Sequence, residues 1–345
     1  MKLGGMERVP HALAIAGMVS SMSAASAWGA AGDNGQFVII EGLYLEKDDG
    51  DTIPLTAPDP AGPFNLVTDD VIDFDATGGA RATAQFQSFG HTWQASAFAV
   101  VSFDQDALVS NLDDVVIGNT STTYAEFVGG SDPSIDQPSN SDELHALDLH
   151  LEGDLWGAEL SWVKNLGGYG FGAFDLLVGV RYIHYGEDLV STAFDEANDL
   201  SGADDEIDRA FIGIDNDLVG LQIGLQGMWN LTSNVALGGS LKGGVAANFI
   251  DRERSLSSDD LSYPAYANSH DDTGFAQFAE FNPRLDIALS ETATLTIGGT
   301  VLWINETSHA TSHYATLADA TDSNLRDGDD ELFYGASVGL KLALN

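Results

Sequence analysis

The sequence predicts an all-β fold: a single transmembrane antiparallel up-and-down β-barrel of about ten strands with long acidic outer loops. Three observations carry this expectation. Apolar and polar residues alternate over long runs, acid-rich connections alternate with short turns, and aromatic residues gather at strand ends on the apolar face. Period 2 is the strand signature, and about 9–11 tilted residues cross the hydrocarbon of a bilayer.

The alternation can be followed segment by segment. Trp93, Ala95, Ala97, Ala99, Val101 and Phe103 share a face against Gln94, Ser96 and Ser102. Val219, Leu221, Ile223, Leu225 and Trp229 oppose Gly220, Gln222, Gly224 and Gln226. Leu237, Leu241, Val245 and Phe249 oppose Ser240, Lys242 and Asn248. Strands are expected at 36–46, 80–89, 92–103, 143–164, 171–186, 209–229, 234–249, 274–289, 293–305 and 331–345. Short turns fall at 90–91, 165–170, 230–233 and 290–292, and acid-rich stretches at 47–79, 104–142, 187–208, 250–273 and 306–330. Long outer loops, short inner turns and an even strand count go together in outer-membrane barrels.

One segment departs from the pattern. In 143–164 the apolar positions move from odd (Leu147, Leu149, Leu151, Leu155) to even (Trp156, Ala158, Leu160, Trp162). A β-bulge near Leu155 produces such a switch. An extra hairpin there, with help from a loop segment such as 65–74, gives twelve strands instead.

Trp93, Trp162 and Trp229 stand beside short turns, and Phe103, Phe249, Trp303 and Tyr334 stand near long-loop ends. Two aromatic girdles on a lipid-facing band are expected to look like this. Residues 1–27 read as a secretory signal peptide: Lys2 and Arg8, an apolar stretch over 11–25, then Ala25-Ser26-Ala27. That leaves 28–345 for the barrel. No apolar run approaches the roughly 20 residues of a transmembrane helix. Cysteine is absent, which excludes disulfides and thiolate metal sites. A net charge of −40 argues against nucleic acid, which needs a basic footprint. It favours cations as companions.

Charges within the strands are expected to face the lumen, because Arg or Lys facing lipid costs about 2–4 kcal/mol near the midplane. The lumen candidates are Arg81, Asp148, Glu152, Asp175, Arg181, Lys242, Glu280 and Arg284, with Glu159, Asp286 and Lys341 of the same parity. Glu280 and Arg284 are spaced to pair. Such a lumen is either a channel with a charged constriction or a small barrel plugged by salt bridges, since ten strands enclose little space.

Asp48, Asp49 and Asp51, and Asp327, Asp329 and Asp330, offer hard oxygen ligands for loosely held Ca²⁺. Neither run follows the twelve-residue calcium-loop pattern, so solvated loops are the simpler expectation. No other cofactor is expected. Asp148 and His150 share a face but no nucleophile joins them, so no catalytic residue is assigned. His91, His270, His309 and His313 read as solvated loop or turn residues. Expected partners are outer-membrane lipid and lipopolysaccharide, the barrel assembly machinery, and small solutes or cations.

Short motifs add a resemblance. Leu177-Val178-Gly179-Val180-Arg181-Tyr182, Val219-Gly220-Leu221-Gln222-Ile223-Gly224, Lys242-Gly243-Gly244-Val245-Ala246-Ala247-Asn248, Phe278-Ala279-Glu280 and Leu295-Thr296-Ile297-Gly298-Gly299 carry it. The layout of 36–345 resembles the Legionella-type pore-forming outer-membrane proteins and related planctomycete barrel porins. The resemblance implies a pore-forming barrel in the cell outer membrane, with no catalytic residues to carry over. The acidic charge then makes passive, cation-favouring diffusion of small solutes or ions the expected function. The chain ends Leu344-Asn345 where such barrels commonly end on an aromatic residue. A non-conducting structural or adhesive barrel displaying acidic loops is the alternative, and an outer-membrane hydrolase the rival class.

Overall fold

The computed structural model describes residues 35–48, 76–110, 146–169, 172–194, 207–258, 266–313 and 329–344. The expected signal peptide lies outside these, as do Asp49, Asp51 and Asp327. The strands are β1 (Phe37–Lys47), β2 (Thr77–Ser88), β3 (His91–Val100), β4 (Phe103–Ser110), β5 (Ala146–Tyr169), β6 (Gly172–Phe194), β7 (Ile207–Asn230), β8 (Val235–Ser258), β9 (Tyr266–Ala288), β10 (Ala293–Thr307) and β11 (Asp329–Ala343). All lie in one antiparallel sheet of eleven strands. It closes on itself through β1 and β11, paired from Phe37↔Ala343 to Lys47↔Phe333. Both β3 and β4 pair with β5, β3 along Trp156–Val163 and β4 along Ala146–Gly153. The eleven strands therefore make ten staves. Phe89 and Gly90 turn the β2–β3 hairpin with φ of 53° and 75°, the doubly positive geometry that two-residue hairpins favour.

β5 itself has no bulge or extra hairpin near Leu155; the one extra residue at that height lies on the facing stave, where β3 pairs up to Ala99↔Trp156 and β4 resumes at Phe103↔Gly153. The β5–β6 register runs without a break from Ala146 to Asn165, and its one irregularity lies between Asn165 and Gly167. Leu149, Leu151 and Leu155 all point inward and are buried, while Asp148, His150 and Glu152 on the alternate positions are exposed. The apolar residues change face because the surroundings change, not the register.

The same inversion runs around the barrel. On β8, Leu237, Leu241, Val245 and Phe249 are exposed on the outer face, and Asp251 and Glu253 continue that face upward. Inside, Lys242 and Asn248 give way to Ile250. On β7, Val219, Leu221, Ile223 and Leu225 face outward below Asp215 and Asp217, with Ile212 and Ile214 buried inside. The lower half is thus built for lipid, apolar outside and polar inside, and the upper half for water. From Leu237 to Phe249 the apolar stretch is long enough to cross an apolar band of about 25 Å, at about 3.4 Å per residue and a tilt of about 45°.

Above that level the strands continue into stretches expected to be loops. β6 runs to Phe194, β8 to Ser258, β9 starts at Tyr266, and β4 occupies 103–110. Asp104, Asp106, Asp251, Glu253 and Asp271 lie exposed on the outer face, while Glu187, Arg252 and Arg254 are buried inside among apolar side chains. Phe103, expected in the upper girdle, is fully buried inside because the break at 101–102 resets the parity of β4. Phe249 and Tyr334 remain on the outer face, Trp303 shares it, and Trp229 sits near the opposite edge. Among the described residues no helix is long and apolar enough to cross a membrane.

Two substitutions on one face of one strand separate the halves. Val245→Arg is expected to cost about 2–4 kcal/mol in urea unfolding from lipid vesicles. Glu253→Arg, on the outer face above the band, is expected to stay within about 0.5 kcal/mol.

Candidate functional site: a lumen crossed by ion pairs

Six inward side chains meet across the middle of the barrel: Glu41 (β1), Arg81 (β2), Glu159 (β5), Arg181 (β6), Lys242 (β8) and Glu280 (β9). Arg81 Nε donates to Glu41 Oε2 at 2.7 Å, and its Nη1 to Asn282 Oδ1 at 2.9 Å and Thr300 Oγ1 at 3.2 Å. Lys242 Nζ donates to Glu159 Oε1 at 2.5 Å. Arg181 Nη1 donates to Glu280 and lies 3.8 Å from Glu159 Oε2. Asn282 and Gln222 satisfy the second oxygens, Asn282 Nδ2 donating to Glu280 Oε1 at 2.6 Å and Gln222 Nε2 to Glu159 Oε2 at 2.9 Å. The Arg181 guanidinium also lies over the rings of Phe98 and Phe278, at 5.9 and 5.2 Å.

Three cations thus face three carboxylates, and no side chain of the six is more than 12% exposed. Mutual pairing is what makes such burial tolerable, since an isolated buried charge is very costly. Gly339 makes room: a Cβ there would fall 2.6 Å from Glu41 Cγ.

Above this layer the lumen is filled. Tyr185 on β6 and Phe333 on β11, from opposite walls of the ring, approach with ring centroids 5.5 Å apart, and Phe103 packs on Phe333 at 5.7 Å. Leu45, Leu151, Leu155, Ile183, Ile214, Ile250 and Ile304 complete the apolar layer, each at most 2% exposed.

The chain leaving β10 then turns inward at Ser308–His313. Asn216 holds it through both amide atoms, donating to Ser308 O and accepting from Ser308 N, each at 2.9 Å. Glu187 Oε2 accepts from Ala310 N at 2.9 Å. His309 Nδ1 lies 2.9 Å from Glu331 Oε1, and Lys47 Nζ bridges Glu187 at 2.7 Å and Glu331 at 3.3 Å. His313 contacts Arg252 Nη1 at 3.1 Å through Nδ1.

His309 and His313, expected in solvent, are therefore buried; the tightly held turn draws them into the barrel. Burial opposes charge on His309, but Glu331 and Glu187 raise its pKa to about 10. Burial likewise opposes charge on Glu187, yet Lys47 and His309 hold its carboxyl well below the usual range.

Of the sequence-level candidates, Arg81, Arg181, Lys242 and Glu280 come together as described. Asp175 faces the lumen lower down, accepting from Gln226 Nε2 at 3.0 Å and Asn165 Nδ2 at 2.9 Å. Arg284 faces inward but pairs with Asp286 at 2.9 Å, while Glu280 pairs with Arg181, so the expected Glu280–Arg284 pair does not form. Asp148 and Glu152 belong to the exposed outer wall, because the unbroken β5 register keeps even positions outside. The strand backbone includes Asp329, and Asp330 accepts from Trp303 Nε1 at 3.3 Å. Asp48 is exposed just after β1.

The grouping of possible metal ligands among the described residues is a different one, Glu187, His309 and Glu331. Lys47 stands among them, so the cluster carries its own cation. On the outer wall above Tyr182, His184 meets Asp217 at 2.8 Å, Asp154 at 3.5 Å and Asp215 at 3.7 Å.

No family model matches the sequence, and no curated protein matches it. Among solved structures, the outer membrane protease OmpT from Escherichia coli superposes with a TM-score of 0.50 at 11% identity, covering 90% of this chain and 96% of that one. A major outer membrane protein from Thermus thermophilus gives 0.33 at 12%, covering 89% and 98%. A FadL homologue from Pseudomonas aeruginosa gives 0.26 at 8%, covering 90% and 91%. At 11% identity the OmpT likeness concerns the fold alone.

Glu280→Leu leaves three cations around two carboxylates and is expected to destabilise by about 3–5 kcal/mol. Adding Arg181→Met is expected to restore most of it, measured by urea unfolding of the refolded barrel. A raised histidine pKa stabilises fully below the unfolded value near 6.5 and less as pH climbs through the folded value of about 10. The stability difference between the native chain and His309→Gln should therefore be flat, on the order of 4 kcal/mol, below about pH 6 and nearly gone by about pH 10.5.

Proposed function

We propose that this chain is an outer-membrane anchor, a closed and non-conducting barrel that carries a folded acidic platform above the membrane. The observation that carries this reading is the filled lumen. Ion pairs from six staves cross it at mid-height, and Tyr185 and Phe333 meet above them from opposite walls. A hydrated ion needs a continuous polar path, and an apolar layer of this kind offers none.

In this reading the short turns face the periplasm and the upper half faces outward. Acids on its outer wall, among them Asp154, Asp215, Asp217, Asp251 and Glu253, stand just above the lipid band. There they gather cations next to lipopolysaccharide phosphates. The platform is a surface for contact rather than catalysis. His150 Nδ1 and Asp106 Oδ1 lie 2.6 Å apart, but their side chains are 46% and 83% exposed on the outer wall.

The second reading, a passive cation-favouring pore, draws support from the resemblance to the Legionella-type pore-forming proteins and from the polar cavity beneath the ion pairs. It requires both the apolar layer and the inturned 308–313 segment to move aside.

Planar-bilayer recording of the refolded protein across a salt gradient distinguishes the two. The anchor reading expects a folded, protease-resistant barrel with no conductance. Discrete steps with a cation-selective reversal potential overturn it.

A further inference from the structure

Two cations of the lower lumen lack the partners that Arg81, Arg181 and Lys242 have above them. Among the described residues, Lys341 on β11 makes no hydrogen bond and has no carboxylate within ion-pair distance. Its close neighbour is the Phe37 ring, 4.5 Å from Nζ. The charges acting on it are the repelling Arg284 and the attracting Asp286. Arg284 places Nε 2.9 Å from Asp286 Oδ1, which leaves both its Nη atoms without a partner among the described residues.

Both side chains line a cavity of about 750 Å³ beneath the ion-paired layer, which reaches down to the turn residues Thr232–Asn234 and Ser290–Thr292. Gln85, only 6% exposed, lines the same cavity with its amide oxygen unpartnered. Gln94, Ser96 and Ser240 add further amide and hydroxyl groups to the wall.

Holding two neighbouring cations partly out of water, with Asp286 the one carboxylate among the described residues within ion-pair distance of either, is unfavourable unless an anion completes the set. A guanidinium with both Nη atoms open matches a carboxylate in two-point geometry. The hydroxyl- and amide-rich wall suits a ligand that itself carries hydroxyl groups, and the volume suits a small molecule. In a chain of net charge −40 such a pair of open cations runs against the prevailing field.

We propose that this cavity binds a small hydroxylated carboxylate, its carboxylate shared between the Nη atoms of Arg284 and Nζ of Lys341. The ligand reaches it from the short-turn side, so the site works whether or not the barrel conducts.

The test is calorimetric titration of the refolded full chain in detergent micelles with glucuronate, glucose and inorganic phosphate. Glucuronate should bind saturably, at least about tenfold more tightly than glucose and more tightly than phosphate. Lys341→Met and Arg284→Gln should each weaken it about tenfold, and Asp286→Asn should tighten it. Lys341→Met removes a charge that has no hydrogen bond or ion pair among the described residues, so it decides the matter if Arg284→Gln does not refold. Absence of saturable heat, equal affinity for glucose and glucuronate, or affinity unchanged in Lys341→Met overturns the site. Phosphate binding as tightly as glucuronate overturns the carboxylate assignment.

Discussion

One constraint organises this molecule: each long stave must bury apolar side chains on its inner face above a certain level and display them on its outer face below it. Side chains alternate across a sheet whatever surrounds it. A strand that passes from lipid into water therefore keeps its register and exchanges the chemistry of its two faces. On β8 the exchange lies between Phe249, which faces outward, and Ile250, which faces inward. On β5 it lies between Leu155, inward, and Trp156, on the outer face. Adjacent staves make the change near one height, so the barrel is a membrane protein at one end and a soluble-type β-structure at the other.

The lumen follows from that exchange. Above the level, inward apolar residues from facing walls meet and pack, which excludes water from between them. Below it, the inner face is polar and the charges there have nowhere to go but toward one another. Glu41, Arg81, Glu159, Arg181, Lys242 and Glu280 balance at three charges of each sign under an apolar ceiling. The low dielectric that makes an unpaired charge so costly also strengthens a complete set of pairs. The inturned segment after β10 extends the same principle upward, where Glu187 and Glu331 face Lys47 and His309. Among the described residues Lys341 is an exception, with Arg284 held by Asp286 through Nε alone, and both face the cavity that reaches the turns.

Much of this was legible in the alternation. The strands, the closure of the sheet, the inward parity of Arg81, Asp175, Arg181, Lys242, Glu280 and Arg284, and the outward Val219–Leu225 and Leu237–Phe249 series all follow from period 2 and the cost of charge in lipid. The upper half was not, because parity identifies which residues share a face but not which face is inside. Assigning the apolar face to lipid throughout turns Leu149, Leu151 and Leu155 outward and sends Asp148 and Glu152 into the lumen. The shift of apolar positions within 143–164 is the visible trace of the exchange, and an unbroken register explains it without a bulge. The burial of His309 and His313 leaves no such trace, since it depends on Asn216, Glu187 and Glu331, remote in the chain.

The central claim is the height at which the outer wall leaves the membrane. The chain has no cysteine, so single cysteines can be placed along the outer face of β8 at Leu237, Leu241, Val245, Phe249, Asp251, Glu253 and Ser257. The refolded protein in lipid vesicles is then labelled with a membrane-impermeant maleimide. The account predicts protection from Leu241 through Phe249 and ready labelling from Asp251 upward. Protection that extends to Ser257, or labelling at Val245, contradicts it.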